Sequence, residues 1–205
     1  MQDPENIREL VELQPDYIGL IFYENSKRYA GATPAMAIEE IIPESIEPVG
    51  VFVNEDISEI EDICADYNIN MLQLHGDESP AFCGELKDKG FKVIKAFGVD
   101  EQFDFKKLEP YKNKVDFFLF DTKGKERGGN GITFDWSVLK KYDNSVPFFL
   151  SGGLSADNIS EVLKLEGMNL YAVDVNSKFE IEAGVKDINL LRASVFEKFK
   201  SGNKE

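Results

Sequence analysis

The chain has 205 residues, of which 42% are hydrophobic and 30% charged, as in an ordinary globular protein. Its formal net charge of −15 disfavours nucleic acid and anionic membranes as partners, because both attract Lys and Arg. There is no continuous apolar run long enough for a membrane-spanning helix, and the polar start predicts no secretory signal. The two cysteines, Cys64 and Cys83, have no metal-ligand spacing and predict free thiols in a reduced, cytoplasmic protein.

Short apolar runs rich in Val, Ile and Phe predict seven buried strands, since a strand covered on both faces need not alternate with polar residues. These runs are Asp16–Phe22, Pro48–Val53, Asn70–His75, Lys92–Phe97, Asp116–Asp121, Pro147–Ser151 and Tyr171–Val175. Amphipathic stretches predict helices at Pro4–Glu12, Pro34–Ile42, Ile57–Tyr67, Pro80–Lys89, Phe105–Tyr111, Trp136–Tyr142, Ala156–Glu166 and Ile188–Lys200. The strict alternation indicates a parallel α/β sheet in a single domain, residues 1–200, followed by a disordered tail at 201–205.

The number of strands bears on the architecture. Eight predicted helices accompany only seven strands, and the chain opens on a helix. A closed (β/α)₈ barrel needs eight strands, whereas a doubly wound open sheet can exist with seven. The count alone leaves both architectures open, so the position of the chemically active residues has to decide between them.

Candidate functional residues stand where predicted strands end, which is where ligands bind in parallel α/β folds. Asp121 ends an apolar strand, where desolvation can raise a carboxyl pKa into a range useful for acid–base catalysis; a cap or a partner for Arg127 is the other interpretation. Arg28 can fork onto a substrate carboxylate, or is an exposed loop residue. His75, which follows Gln73 at another strand end, either contacts ligand or is structural.

The segment Ser151–Ser155 contains Gly152 and Gly153 before a predicted helix. Glycines let a phosphate approach the main chain, and the first turn of a helix offers free N–H groups; a tight strand-to-helix turn is the alternative. Asn176 and Ser177 follow the next strand, and phosphate sites in barrels are often built by the last two strand–helix loops. Asp174 is interpreted as structural, and Lys95 either points into the mouth of the barrel or is a packed or surface residue.

Several motifs occur together in an order and spacing that resemble the phosphoribosylanthranilate isomerase family of (β/α)₈ barrels. They are Gly19–Tyr23 with Ser26–Tyr29, Leu72–Gly76, Phe120–Asp121 with Gly128–Gly131 and Phe134–Trp136, Leu150–Leu154, Asp174–Ser177 with Glu180, and Gly184–Asp187. The resemblance runs nearly end to end. It implies a TIM-type barrel of which this chain is expected to contain only seven strands.

The resemblance also implies a reaction, the Amadori rearrangement of N-(5-phosphoribosyl)anthranilate in tryptophan biosynthesis, without cofactor or metal. Asp121 matches the general acid and Arg28 the arginine that holds the anthranilate carboxylate. Gly152, Gly153, Asn176 and Ser177 match the phosphate loops, and Gln73 and His75 are expected to contact substrate. The expected partner is this small phosphorylated molecule, and the chain is expected to be a monomer or homodimer.

The family's general base is a cysteine at the end of the first strand, and the match here starts just past it. We therefore expect this chain to bind substrate but to isomerise it poorly. Lys27 and the pair Lys178–Phe179 also depart from the family pattern. The alternatives are a non-catalytic sugar-phosphate-binding barrel, or another barrel enzyme such as indole-glycerol-phosphate synthase, for which we find no catalytic Lys–Glu pair at strand ends.

Overall fold

The computed structural model describes residues 1–122 and 135–197. Within them, seven parallel strands form one sheet in which each strand pairs with the next one along the chain. The strands are β1 (Tyr17–Ile21), β2 (Glu47–Phe52), β3 (Met71–Leu74), β4 (Lys92–Val99), β5 (Phe117–Thr122), β6 (Phe148–Leu150) and β7 (Leu170–Val173). This order confirms the predicted TIM-type α/β architecture with seven strands and excludes a doubly wound sheet, whose strand order reverses.

The α-helices are α1 (Pro4–Val11), α2 (Ala35–Glu39), α3 (Ile57–Asp66), α4 (Pro80–Asp88) and α5 (Ile188–Leu191). Pro occupies the first position of α1 and α4, and the Asp3 and Ser79 side chains accept hydrogen bonds from the main chain of the first turn. A helix N-terminus leaves such N–H groups unpaired, and Pro there removes one of them.

Three of the predicted helices form 3₁₀ rather than α-helices, at Phe105–Tyr111, Trp136–Lys141 and Ile159–Lys164. In the first of these, Pro110 lies inside the helix and has no N–H to donate. The last predicted helix begins as α5 and continues as a π-helix over Arg192–Phe196. Its predicted end at Lys200 and the predicted disordered tail lie outside the described residues.

Alternation along the strands decides which side chains enter the sheet's concave face. Residues two apart share a face, so the inward series Phe117, Leu119 ends at Asp121, and Met71 is followed by Gln73. An inner apolar cluster fills the centre; its buried members are Val49, Met71, Ile94, Ala96, Leu119 and Phe149. The same periodicity that builds this cluster therefore carries polar side chains to the carboxyl ends of the strands above it.

The two outermost strands, β1 and β7, are not neighbours in the main-chain hydrogen-bonding pattern of the described residues. They are linked instead by side chains, since the hydroxyls of Tyr17 and Tyr171 lie 3.1 Å apart. Phe149 packs against both rings, with centroids 5.5 Å from each. An aromatic cluster thus joins the edges at the amino-terminal end of the sheet.

A short antiparallel hairpin, β8 (Glu180–Glu182) and β9 (Val185–Lys186), follows a 3₁₀ turn at Ser177–Phe179. Neither element was expected from the sequence. The side chain of Asn6 holds the hairpin against α1, donating to the Lys186 carbonyl at 2.9 Å and accepting from the Lys186 N–H at 2.6 Å. Among the described helices, none is long and apolar enough to cross a membrane.

Candidate active site

One cavity of about 1510 Å³ opens at the carboxyl end of the sheet. All eight of the residues singled out from the sequence line it: Arg28, Gln73, His75, Asp121, Gly152, Gly153, Asn176 and Ser177. Ligand pockets usually measure about 300–1,000 Å³. The same cavity extends along β1 and β7 to the amino-terminal ends of these strands, where Tyr17, Leu170 and Tyr171 line it.

Asp121 lies at the end of β5 and is buried, with 8% of the residue exposed. Its Oδ1 accepts a hydrogen bond from the Thr122 N–H at 2.7 Å, and its Oδ2 lies 3.4 Å from Nε2 of His75. The other ring nitrogen, Nδ1, is 3.0 Å from the amide nitrogen of Gln73. That amide nitrogen can only donate, so Nδ1 accepts this hydrogen bond and Nε2 is the ring nitrogen that faces the Asp121 carboxyl group.

Gly152 is required for the close approach of β6 to β5. Its φ is +84°, a left-handed conformation that side chains rarely adopt, and Gly153 follows with φ of +67°. A Cβ at Gly152 would collide with the Thr122 main chain and stand 2.6 Å from Oδ1 of Asp121. The first glycine of the predicted phosphate loop therefore also lets the loop pack directly on the carboxyl group at the centre of the site.

Asp174, interpreted from the sequence as structural, lines the same cavity and accepts a hydrogen bond from the Ser151 hydroxyl at 3.1 Å. Desolvation raises the pKa of Asp174 above its ordinary value, and the nearby carboxyl of Asp121 raises it further against the opposing influence of Lys186. Two carboxyl groups thus face one cavity. The inward position of Asp174, two residues after Ala172, was the available signal for this placement.

A raised carboxyl pKa makes stability depend on pH in a defined direction. The folded chain holds the Asp174 proton more tightly than the unfolded chain, so this contribution is fully present below the ordinary pKa, near 4, and is lost as pH rises through the folded value. We therefore expect Asp174→Asn to melt above the parent chain at pH 7, and the gap to shrink at pH 4. Melting curves across this range test it; a gap of the same size at both pH values contradicts it.

Arg28 lines the cavity but is not free. Its guanidinium pairs with the carboxylate of Glu180 on β8, at 2.6 Å between Nη2 and Oε2. Lys186 on β9 reaches the same carboxylate at 3.1 Å and also donates to Oδ1 of Asn176 at 2.6 Å. Desolvation opposes ionisation of Glu180, but hydrogen bonds and charge from Arg28 and Lys186 outweigh it and lower its pKa. Neither Glu180 nor Lys186 was singled out as a site residue.

Lys95 is packed, neither on the surface nor in the mouth of the barrel, and its side chain is 3% exposed. It points away from the cavity, and its ammonium donates to the carbonyls of Leu74, Gly76 and Ala96 at 2.9–3.0 Å. It also pairs with Oε2 of Glu78 at 3.1 Å. Glu78 accepts in turn from the N–H of Gly76 at 2.9 and 3.0 Å, so this ion pair clamps the loop that carries His75.

The two cysteines lie on α3 and α4 and do not line the cavity. Desolvation is the largest influence on both thiols and raises the pKa of Cys64 and of Cys83 to about 12. A thiol with such a pKa is protonated at neutral pH and is a poor base. Arg127 and Gly128–Gly131, which the sequence places after β5, lie outside the described residues.

The fold and site define a parallel α/β barrel protein with a cavity at the carboxyl ends of its strands, lined by the buried carboxyl group of Asp121 and by the loops that follow β6 and β7. The family model of N-(5′-phosphoribosyl)anthranilate (PRA) isomerase matches residues 1–197. The chain is 42% identical over 196 residues to the N-(5′-phosphoribosyl)anthranilate isomerase of Parabacteroides distasonis, covering 94% of this chain and 87% of that protein. It is 40% identical over 192 residues to the enzyme of Caldanaerobacter subterraneus subsp. tengcongensis, covering 93% and 91%. The chain therefore belongs to the PRA isomerase family.

Solved structures agree with this assignment. The phosphoribosyl anthranilate isomerase of Thermotoga maritima superposes with a TM-score of 0.81 at 33% identity, covering 98% of this chain and 96% of that one. A phosphoribosyl anthranilate isomerase in complex with reduced 1-(o-carboxyphenylamino)-1-deoxyribulose 5-phosphate gives 0.79 at 29% identity, covering 98% and 95%. The enzyme of Thermus thermophilus, at 24% identity and a TM-score of 0.83, shows the fold alone.

Proposed function

We propose that this chain binds N-(5′-phosphoribosyl)anthranilate and has the site for its isomerisation to the 1-(o-carboxyphenylamino)-1-deoxyribulose 5-phosphate, a step of tryptophan biosynthesis in the cytoplasm. One observation carries the proposal. A buried carboxyl group, Asp121, shares one cavity with an arginine and with two loops suited to a phosphate. Membership of the PRA isomerase family supports the choice of substrate. The proposed reaction uses no cofactor and no metal.

In the proposed reaction, Asp121 donates its proton to the ring oxygen of the ribose, the ring C–O bond breaks, and the anilinic nitrogen becomes an iminium ion. The Nε2–H of His75, at 3.4 Å from Oδ2, faces the carboxylate that this step creates. Gln73 holds the ring in that tautomer. A base then removes the proton from C2, and the enamine that forms becomes the ketone. General acid–base catalysis at each such position contributes about 10²–10⁴-fold.

The two ends of the substrate are anionic and need different partners. Arg28 is proposed to bind the anthranilate carboxylate, since a guanidinium matches a carboxylate in geometry. The phosphate is proposed to lie between Gly152–Gly153 and Asn176–Ser177, which line the cavity at the ends of β6 and β7. Positive φ values at both glycines turn the main chain so that a ligand can approach it closely.

We also propose that the 205-residue chain isomerises slowly. The family resemblance assigns the C2 proton to a cysteine on a strand next to β1. In the described part of the chain, both cysteines lie outside the cavity and have raised pKa values. The extension of the cavity along β1 and β7 supports the same proposal, because reactive geometry depends on walls that hold the substrate. This observation also favours a second candidate, a barrel that binds a sugar phosphate without turning it over.

The proposed partner is the small phosphorylated substrate. We propose a single domain that is a monomer or a homodimer; the description of one related Thermotoga maritima structure refers to a dimeric enzyme and monomers generated from it. Light scattering of the purified chain distinguishes the two states. A larger assembly contradicts this part of the proposal.

The direct test is calorimetric binding of the reduced product analogue, reduced 1-(o-carboxyphenylamino)-1-deoxyribulose 5-phosphate, with inorganic phosphate as the second ligand. We expect the analogue to bind with a Kd in the micromolar range and to bind more tightly than phosphate, since two anionic ends and a ring contribute. Arg28→Met should weaken binding of the analogue and leave phosphate unchanged. Binding of phosphate alone, with no preference for the analogue, contradicts the proposed substrate.

A further inference from the structure

We propose that Glu180 is a positioning residue that fixes the guanidinium of Arg28 for the substrate carboxylate. The inference rests on the proposed function and deepens it. Glu180 begins β8 and Lys186 ends β9, so the hairpin supplies two members of a charged cluster. The third member is Arg28.

The contacts of Arg28 leave one end of its side chain available. Nε donates to both carboxylate oxygens of Glu180, at 2.9 and 3.0 Å, and Nη2 donates to Oε2 at 2.6 Å. A guanidinium has five N–H groups, so both of those on Nη1 and one on Nη2 are not used by this pair. Arg28 lines the cavity, whereas Glu180 does not. The unused end is therefore the part that a ligand carboxylate can reach.

Glu180 is itself buried and fixed by several hydrogen bonds. Its side chain is 3% exposed, and it accepts further hydrogen bonds from the Gly184 N–H at 3.3 Å and from Lys186 at 3.1 Å. Asn6 of α1 fixes the main chain of Lys186 from the other side. An arginine in a loop would otherwise lose considerable side-chain freedom on binding, and a rigid partner removes part of that cost before the ligand arrives.

The charges around Glu180 decide what its removal would do. The carboxylate of Glu180 pairs with two cationic side chains, Arg28 and Lys186, and Asp174 also acts on Lys186. Desolvation already lowers the pKa of Lys186, and Glu180 is the largest opposing influence. Without that carboxylate, buried Lys186 would lose its proton more readily. Removing Glu180 would therefore free the guanidinium of Arg28 and also favour loss of the proton on Lys186.

The test compares two ligands on Glu180→Gln, on Glu180→Asp and on the matched control Glu182→Gln, which is exposed on the same hairpin. The ligands are the reduced product analogue and its phenyl counterpart without the carboxylate. We expect Glu180→Gln to weaken binding of the carboxylate ligand by about 10- to 100-fold, as for a lost charge-assisted hydrogen bond, and binding of the phenyl ligand by less than about threefold. The control should bind both ligands as the parent chain does.

Glu180→Asp retains the charge with a shorter reach, so it should fall between the parent chain and Glu180→Gln, and it supplies the test if the glutamine variant does not fold. Equal weakening of both ligands would show a general structural role and overturn the inference. Unchanged or tighter binding of the carboxylate ligand would overturn it as well. If the parent chain binds neither ligand, the proposed function fails first and the inference fails with it.

Discussion

Replacement of Lys95 by Met is expected to lower the free energy of unfolding by about 3–5 kcal/mol, the usual cost of removing one partner of a buried ion pair. The ammonium of Lys95 is enclosed by three carbonyl oxygens and by Glu78, whose side chain is 2% exposed. Met fills the space of the alkyl chain but leaves the carboxylate buried without its cation. For a chain of this size we expect a melting temperature lower by roughly 6–20 °C.

Two variants make the comparison specific. Lys89 pairs with Glu61 at 2.9 Å, with about a third or more of each side chain exposed, so Lys89→Met should cost no more than about 1 kcal/mol. The double variant Lys95→Met with Glu78→Gln removes both charges and should be more stable than Lys95→Met alone. Urea unfolding at pH 7 gives all three values. If Lys95→Met costs no more than the surface variant, the ion pair does not hold the β3–α4 loop.

Asp121→Asn is expected to reduce isomerase turnover by about 10²–10⁴-fold, the usual contribution of a general acid. An amide has no carboxylic proton to give to the ribose ring oxygen. In the parent chain the Thr122 N–H donates to Oδ1 of Asp121 at 2.7 Å. The amide oxygen of the variant can accept the same hydrogen bond, so the fold should be retained. The measurement is made on a chain extended by a Lys-Val-Cys-Gly-type strand, in which the proposed base is present and the reference rate is high.

Asp88→Asn, at the exposed end of α4, is the matched control for this substitution. It should leave both turnover and melting temperature unchanged. Asp121→Asn should change turnover while the melting temperature stays close to that of the parent. Retention of more than a tenth of the turnover would show that another group protonates the ring oxygen, and Asp174, in the same cavity, would be the next candidate.

The position of the candidate site was predictable because parallel strands end at one edge of a sheet. Gln73, Asp121 and Gly152 stand at the ends of apolar runs, and the order of those runs along the chain is also the order of the strands in the sheet. The number of strands could not choose between an open sheet and a barrel. That choice depends on which strands pair, and pairing between distant segments is a tertiary property.

The supporting residues were not predictable in the same way. Glu180 and Lys186 lie in a hairpin of three and two residues, too short for its alternation to be recognised, and Glu180 contacts Arg28, which is 152 residues away in the sequence. In the sequence, Lys95 is a charged residue within an apolar run. Its burial is explained only by the ion pair with Glu78, which the structure shows. The amphipathic pattern also did not predict that three of the helices are 3₁₀ helices. Such a pattern indicates which face is buried but not which main-chain hydrogen bonds form.

The most direct measurement is isomerase turnover, followed through loss of the fluorescence of N-(5′-phosphoribosyl)anthranilate, on the 205-residue chain and on the chain extended by a Lys-Val-Cys-Gly-type strand. We expect turnover by the extended chain to exceed that of the 205-residue chain by at least about 10²-fold, because the extension supplies the base and fills the space between β1 and β7. Equal turnover by both chains would show that a residue already present is the base and would contradict the proposed mechanism. Absence of turnover in both would contradict the proposed isomerase activity.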